Sequence, residues 1–171
     1  MHPSVSPIAA IFRLNTELLL NCMNGVDEGL ARQRITPTCN NISFLVAHLI
    51  ESRHLLAKLL GAPVPSPLPP SVDKARTLEE AGPLPPLTEL EAAWEAIAAH
   101  LAVQVERLDT PQLAQSASHF PGSDGTVLGA LAFLAQHESY HLGQIALLRR
   151  QVGLPAMSYD LKPREPGRSG A

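Results

Sequence analysis

The sequence predicts an all-α protein, a four-helix bundle with a long proline-rich crossover between its second and third helices. Three observations point there. Four stretches repeat apolar residues at three- and four-residue steps, the period of a helix with one buried face. No two alternating runs are joined by a hairpin turn. Residues 61–86 hold eight of the sixteen prolines, a density that no regular helix or central strand tolerates.

The first helix is expected over about Ser6 to Met23. Its stripe is Ile8, Ile11, Leu14, Leu18 and Cys22, widened by Phe12 and Leu19, with Asn15 as a polar interruption and Asn24-Gly25 as the stop. The second runs from about Ile42 to Leu60, capped by Asn40 or Asn41 and ended by Gly61 and Pro63. Leu45, His48, Leu49, Leu55, Leu56 and Leu59 form its inner side. Residues 61–86 read as an extended crossover with a short turn near residues 75–80. The third helix runs from about Thr88 to Leu108, with Thr88-Glu89-Leu90-Glu91 as a capping box and Leu90, Trp94, Ile97, Leu101 and Val105 as its stripe. The fourth runs from about Thr126 to Gln151, with Arg149 and Arg150 favouring its C-terminal dipole and Gly153 and Pro155 closing it. Residues 1–155 therefore read as one domain and residues 156–171 as a polar tail.

Composition narrows the function. The net charge is −3 with no basic run, so the electrostatic footprint of nucleic-acid binding is missing. No apolar run reaches membrane-spanning length, and the N-terminus shows no signal-peptide pattern. Cys22 and Cys39 lack the spacing of a zinc ribbon or a redox pair and read as reduced thiols. The expectation is a cytoplasmic protein acting on a small molecule, without nucleic-acid or membrane partners.

The chemistry concentrates in the fourth helix. His137-Glu138-Ser139-Tyr140-His141 fits H-E-x-x-H, the pattern of zinc metallohydrolases, in which the two His bind metal and the Glu is the base. On a helix the two His lie about 40° apart, close enough to share one ion. A protease would draw its third ligand from downstream, but no His follows His141, and the acids that do follow, Asp160 and Glu165, fall in the tail. The other source is upstream. His100 and His54 lie about 240° from Trp94 and His48 on their helices and read as exposed. His48 falls among leucines, where a core already holding two imidazoles can hold a third on a facing helix.

Taken together, "NISFLVAHLIESRHLLAKLLG" and "GTVLGALAFLAQHESYHLGQIALLRRQVGLP", with the H-x-x-x-H-x-G-Q-I…L-R-R…G-x-P pattern at 137–155, resemble the DinB-like superfamily over roughly residues 5–155. The resemblance implies a four-helix bundle whose metal triad is His48, His137 and His141, with the Glu between the last two not a ligand. It also implies one divalent metal ion, Zn or Ni, and a tendency to homodimers. Assigned members include metal-dependent thiol transferases and isomerases that use bacillithiol, mycothiol or glutathione, so a low-molecular-weight thiol is the implied co-substrate.

Around the triad, Gln144 is seven residues from His137, nearly on its line, and Glu51 is one turn after His48; both are candidates to support a ligand. Glu138 is a candidate base, with a polar helix–helix contact as its other reading. Tyr140 and Trp94 are expected in the core. Two classes of function share these residues: a metal-dependent transferase acting on small electrophiles, and a non-catalytic bundle in which the metal is structural, in a stress-related role. They differ in whether a fourth protein ligand closes the site.

Overall fold

A computed structural model describes residues 1–160; residues 161–171, most of the expected tail, lie outside the described residues. Those described are all-helical apart from an isolated bridge between Ser116 and Thr126. The helices are α1 (Ser6–Met23), α2 (Glu28–Arg32), α3 (Ile42–Leu59), α4 (Leu78–Ala81), α5 (Leu87–Glu106), α6 (Thr110–Leu113) and α7 (Val127–Gln151). α1, α3, α5 and α7 are the long helices of the sequence pattern. The four- and five-residue helices α2, α4 and α6 are too short for periodicity to reveal.

Contacts fix the directions. Asn15 in mid-α1 meets Ala135 and Ser139 in mid-α7, and Arg149 near the end of α7 donates to the carbonyls of Cys22 and Asn24 at the end of α1. These two helices run the same way. α3 runs against them, because its late residue Arg53 reaches Phe12 and Thr16, well before the end of α1. α5 runs with α3: Ala62, just after α3, meets His100 late in α5, while Leu87 at the start of α5 donates to Glu28 of α2. After α3 the chain must therefore travel back along that helix, which at 18 residues is about 27 Å long. It has done so by Arg76 and Leu78, whose backbones bond the side chain of Asn40 just ahead of α3. Ser66 ties the segment to α3 on the way, through a hydrogen bond to Glu51.

Side-chain caps set several helix starts. Asn41 accepts from Phe44 N at the head of α3, and Thr126 accepts from Gly129 N at the head of α7. The expected Thr88 capping box does not form. α5 begins one residue earlier, after Pro86, and the carboxylate of Glu28 takes up the N–H of Leu87 instead. A capping box forms at Asp109 and Gln112, at the head of α6.

The buried face of α1 departs from expectation. Ile11 and Leu14 are exposed, while Leu18 and Cys22 of the expected stripe are buried together with Ala9, Phe12, Asn15, Leu19 and Met23. The expected stripe holds in the second half of the helix and shifts in the first half, where the supposed interruption, Asn15, is itself inside and hydrogen-bonded. Leu55 is likewise exposed on α3, while Leu45, Leu49 and Leu56 are buried. Trp94 fills the centre as expected. Cys22 and Cys39 are free thiols; burial pushes the Cys22 thiol up to about 11.

The centre also holds charge. Arg53 of α3 and Glu138 of α7 are each only 2% exposed and pair through Arg53 Nε to Glu138 Oε1 at 2.7 Å and Nη2 to Oε2 at 3.0 Å. Arg53 Nη1 donates to Thr16 Oγ1 and Nη2 to the Phe12 carbonyl, both on α1, and its guanidinium carbon lies 3.6 Å from the ring centroid of Trp94 on α5. One side chain thereby touches all the other long helices. Removing one member of a buried pair costs about 3–5 kcal/mol, whereas replacing both by apolar groups is often neutral. Arg53→Met should lower unfolding free energy in urea by about that amount, and adding Glu138→Leu should recover at least half of the loss. A double variant no more stable than the single one would show that the pair is not the source of the penalty.

Candidate metal centre

His48 comes from α3, and His137 and His141 come from successive turns of α7. α3 and α7 pack against each other, and their facing sides bring the three imidazoles to one place. One nitrogen from each ring can be chosen so that all three lie within 4.8 Å of one another, and Nε2 of His48 is 3.0 Å from Nε2 of His137. Nitrogens bound at about 2.0–2.1 Å to one tetrahedral ion sit about 3.3 Å apart, so the spacing suits a single ion. Among the described residues this is the one cluster of three or more His, Cys, Asp or Glu side chains with such spacing.

The protonation state also suits a metal. Burial is the main cause that lowers His48 to about 4, with repulsion from His141 and His137 adding to it. Burial, then His141, lowers His137 to about 4. His141 is lowered by burial and partly restored by its bond to Gln144. Neutral imidazole is the form that ligates. Gln144 Oε1 lies 2.7 Å from His141 Nδ1. A carbonyl oxygen only accepts, so this bond puts the His141 proton on Nδ1 and leaves Nε2 with its lone pair.

Aromatic rings pack around the imidazoles. Phe44 stacks on His48 at 6.1 Å, Phe133 stacks on His137 at 5.8 Å, and Phe120 stacks on the far side of that group, on Phe133, at 5.0 Å. Tyr140, expected in the core, is instead 58% exposed, with its ring meeting His141 edge-on at 5.1 Å. Tyr140 follows Glu138 by two positions, about 200° around the helix, and so faces away from the buried ion pair.

The other candidates sit elsewhere. Glu138 is directed to Arg53 and Asn15, with Asn15 Nδ2 3.3 Å from its Oε2, so its oxygens serve α3 and α1. Glu51 bonds Ser66 of the segment after α3. His54 and His100, expected to be exposed, are half-buried, their ring nitrogens 3.2 and 2.9 Å from the carbonyls of Val64 and Ala62. They pin the start of the return segment. Arg53 was not singled out by sequence, though it stands four residues after Leu49 and three before Leu56, in phase with the buried stripe.

A family model described as the DinB superfamily matches residues 11–145, which include all three histidines, Arg53 and Glu138. The chain belongs to the DinB superfamily. A comparison with curated proteins gives no match. Within this superfamily member no helix among the described residues is long and apolar enough to cross a membrane.

The imidazoles make the metal-free protein sensitive to acid. Their folded-state values lie below the unfolded value of 6.5. Between about pH 6.5 and 4 the unfolded chain therefore binds protons that the native state refuses, so stability falls as pH falls through that window. In chelator, the melting temperature should be lower at pH 5 than at pH 7.5, and a His48→Gln/His137→Gln variant should lose most of the difference. Equal pH dependence in the two proteins would contradict the assignment.

Proposed function

We propose that this DinB superfamily member is a metal-dependent enzyme that transfers a low-molecular-weight thiol to a small electrophile. In this reading the four long helices form a four-helix bundle with residues 61–86 as its crossover, and the protein works as a homodimer in the cytoplasm. One divalent ion, Zn or Ni, is held by His48, His137 and His141.

The observation that carries this is a three-imidazole cluster with no fourth ligand-type side chain grouped with it among the described residues. Structural zinc sites are closed by four protein ligands, whereas catalytic ones keep a position open. Three neutral imidazoles leave the ion its full positive charge, which favours an anionic ligand at the open position. Held by His48, His137 and His141, such an ion would supply Lewis acidity and would favour deprotonation of a thiol.

The remaining work belongs to the chain's own residues. Gln144 fixes the tautomer and ring angle of His141. Phe44 and Phe133 lie flat against His48 and His137 and restrict how those rings can turn. Burial keeps protons off the ligands near neutral pH. The Arg53–Glu138 pair joins the helix of His48 to the helix of the other two. Glu138 takes no part as a base in this scheme, because Arg53 and Asn15 hold its carboxylate. That distinguishes the site from the metallohydrolase reading of H-E-x-x-H, in which the Glu must reach the attacking water.

The test combines metal content with turnover. Purified protein should carry about one Zn or Ni per chain by elemental analysis, and His48→Ala should lose it as fully as His137→Ala. The loaded protein should consume a thiol in the presence of at least one member of an electrophile panel, and His48→Ala should not. Full metal occupancy in His48→Ala at native stability would overturn the triad. Full occupancy of the unaltered protein without turnover of any thiol would favour a structural metal.

A further inference from the structure

Aromatic residues are scarce in this chain and unevenly distributed. There are four Phe, two Tyr and one Trp. Phe12 and Trp94 lie beside Arg53 in the interior. Phe44, Phe133 and Tyr140 each meet one of the three imidazoles, and Phe120 stacks on Phe133, which leaves Tyr159. Leu, Ile, Val and Ala do most of the core packing elsewhere. The gathering of rings at the histidines therefore has a cause other than the general need to fill a core.

Burial separates two roles among them. Phe44 is 2% exposed and packs behind His48. Phe120 and Phe133 are only half-buried, and Tyr140 stands mostly in water. Ring surface left in water gains from being covered. The imidazoles are themselves half-buried, so solvent reaches the cluster. Phe133 and Tyr140 are seven residues apart on α7, nearly on one line and attached about 10.5 Å apart along its axis, with His137 between them. Phe120 is held against Phe133 by a loop closed at its neck. Ala117 N donates to the Gly125 carbonyl at 2.8 Å, and Ser123 N donates to the Phe120 carbonyl at 3.0 Å. Phenyl and phenol groups offer no counter-charge, so a charged body desolvated against them would go unmatched.

We propose that Phe120, Phe133 and Tyr140 form the wall that receives the electrophile, and that this substrate is a small uncharged molecule with an aryl or flat conjugated body. The inference rests on the thiol-transfer reading above, in which the thiol takes the ion's open position and the electrophile lies beside it. An offset or edge-on ring pair adds about two- to tenfold in affinity beyond the area it covers. That gain separates a flat ring from a saturated ring of the same size.

The probes are acetophenone and cyclohexyl methyl ketone, unreactive ketones of matched size that differ in the flatness of the ring. Each is titrated into the full chain, zinc-loaded and chelator-treated, with the imidazole proton signals followed by NMR and metal content measured on the same samples. In both states acetophenone should bind saturably and at least about fivefold tighter than the cyclohexyl ketone. Tyr140→Leu should weaken acetophenone about two- to tenfold, leave the cyclohexyl ketone within about twofold and leave the melting temperature unchanged. Phe133→Leu should change the two affinities in the same way. Because Tyr140 is mostly exposed, its variant decides the matter even if Phe133→Leu folds poorly. Equal affinity for the two ketones, binding of neither, or an unchanged preference in Tyr140→Leu would overturn the proposal. A chain that takes up no metal but still selects acetophenone would overturn the thiol-transfer reading and uphold the aryl wall. A loaded chain that binds both ketones alike would overturn the wall alone.

Discussion

Arg53 and Glu138 are opposite charges sealed from water, and neither tolerates being left without the other. An isolated buried charge costs several kcal/mol, so the chain can fold only into arrangements that bring these two together. That requirement sets the relative position of α3 and α7. Bonds from Arg53 to Phe12 and Thr16 extend it to α1, and the stacked ring of Trp94 extends it to α5. Trp94 is in turn held by a bond from its Nε1 to the carbonyl of Thr16. Apolar packing provides most of the driving force for burial, but it is indifferent to small slips between helices. A bidentate ion pair is not, because its geometry is directional.

The histidine cluster inherits that precision. α7 carries Glu138 about 100° around from His137 and about 60° from His141, and α3 carries Arg53 five residues after His48. The same two helices therefore meet twice, once through charge and once through imidazoles. With the first contact fixed, the second has little freedom. This also accounts for the Glu inside H-E-x-x-H. In a metallohydrolase that position faces the attacking water, whereas here it faces inward and serves the core. The same five-residue pattern places its Glu differently because the helix is turned differently against its neighbours.

Much of this was legible in the sequence. The long helices, their approximate ends and the i, i+4 histidine pair follow from period and spacing, which are local signals, whereas the upstream partner His48 was assigned through the family resemblance. What was missed depends on which polar residues find partners. Asn15 reads as a break in a stripe until its bonds to Ala135, Glu138 and Ser139 are seen, and misreading it placed Ile11 and Leu14 inside when they are exposed. Arg53 was passed over although its phase matches Leu49 and Leu56. Periodicity alone gives no reason to bury a charge unless its counter-charge is identified on another helix. Glu138 lies four residues from both Leu134 and Leu142, and that shared phase was the available clue. Tyr140 shows the opposite error: an aromatic residue beside the site was assigned to the core, and it stands largely in solvent.

The claim that His48, His137 and His141 hold one ion with an open position is tested most directly by X-ray absorption spectroscopy of the metal-loaded protein. The account predicts three imidazole nitrogens in the first shell, no sulfur, and at least one light-atom ligand that exchanges when a small thiol is added and is replaced by sulfur. A shell of four protein ligands that does not change with thiol, or one containing cysteine sulfur before any thiol is added, would contradict it.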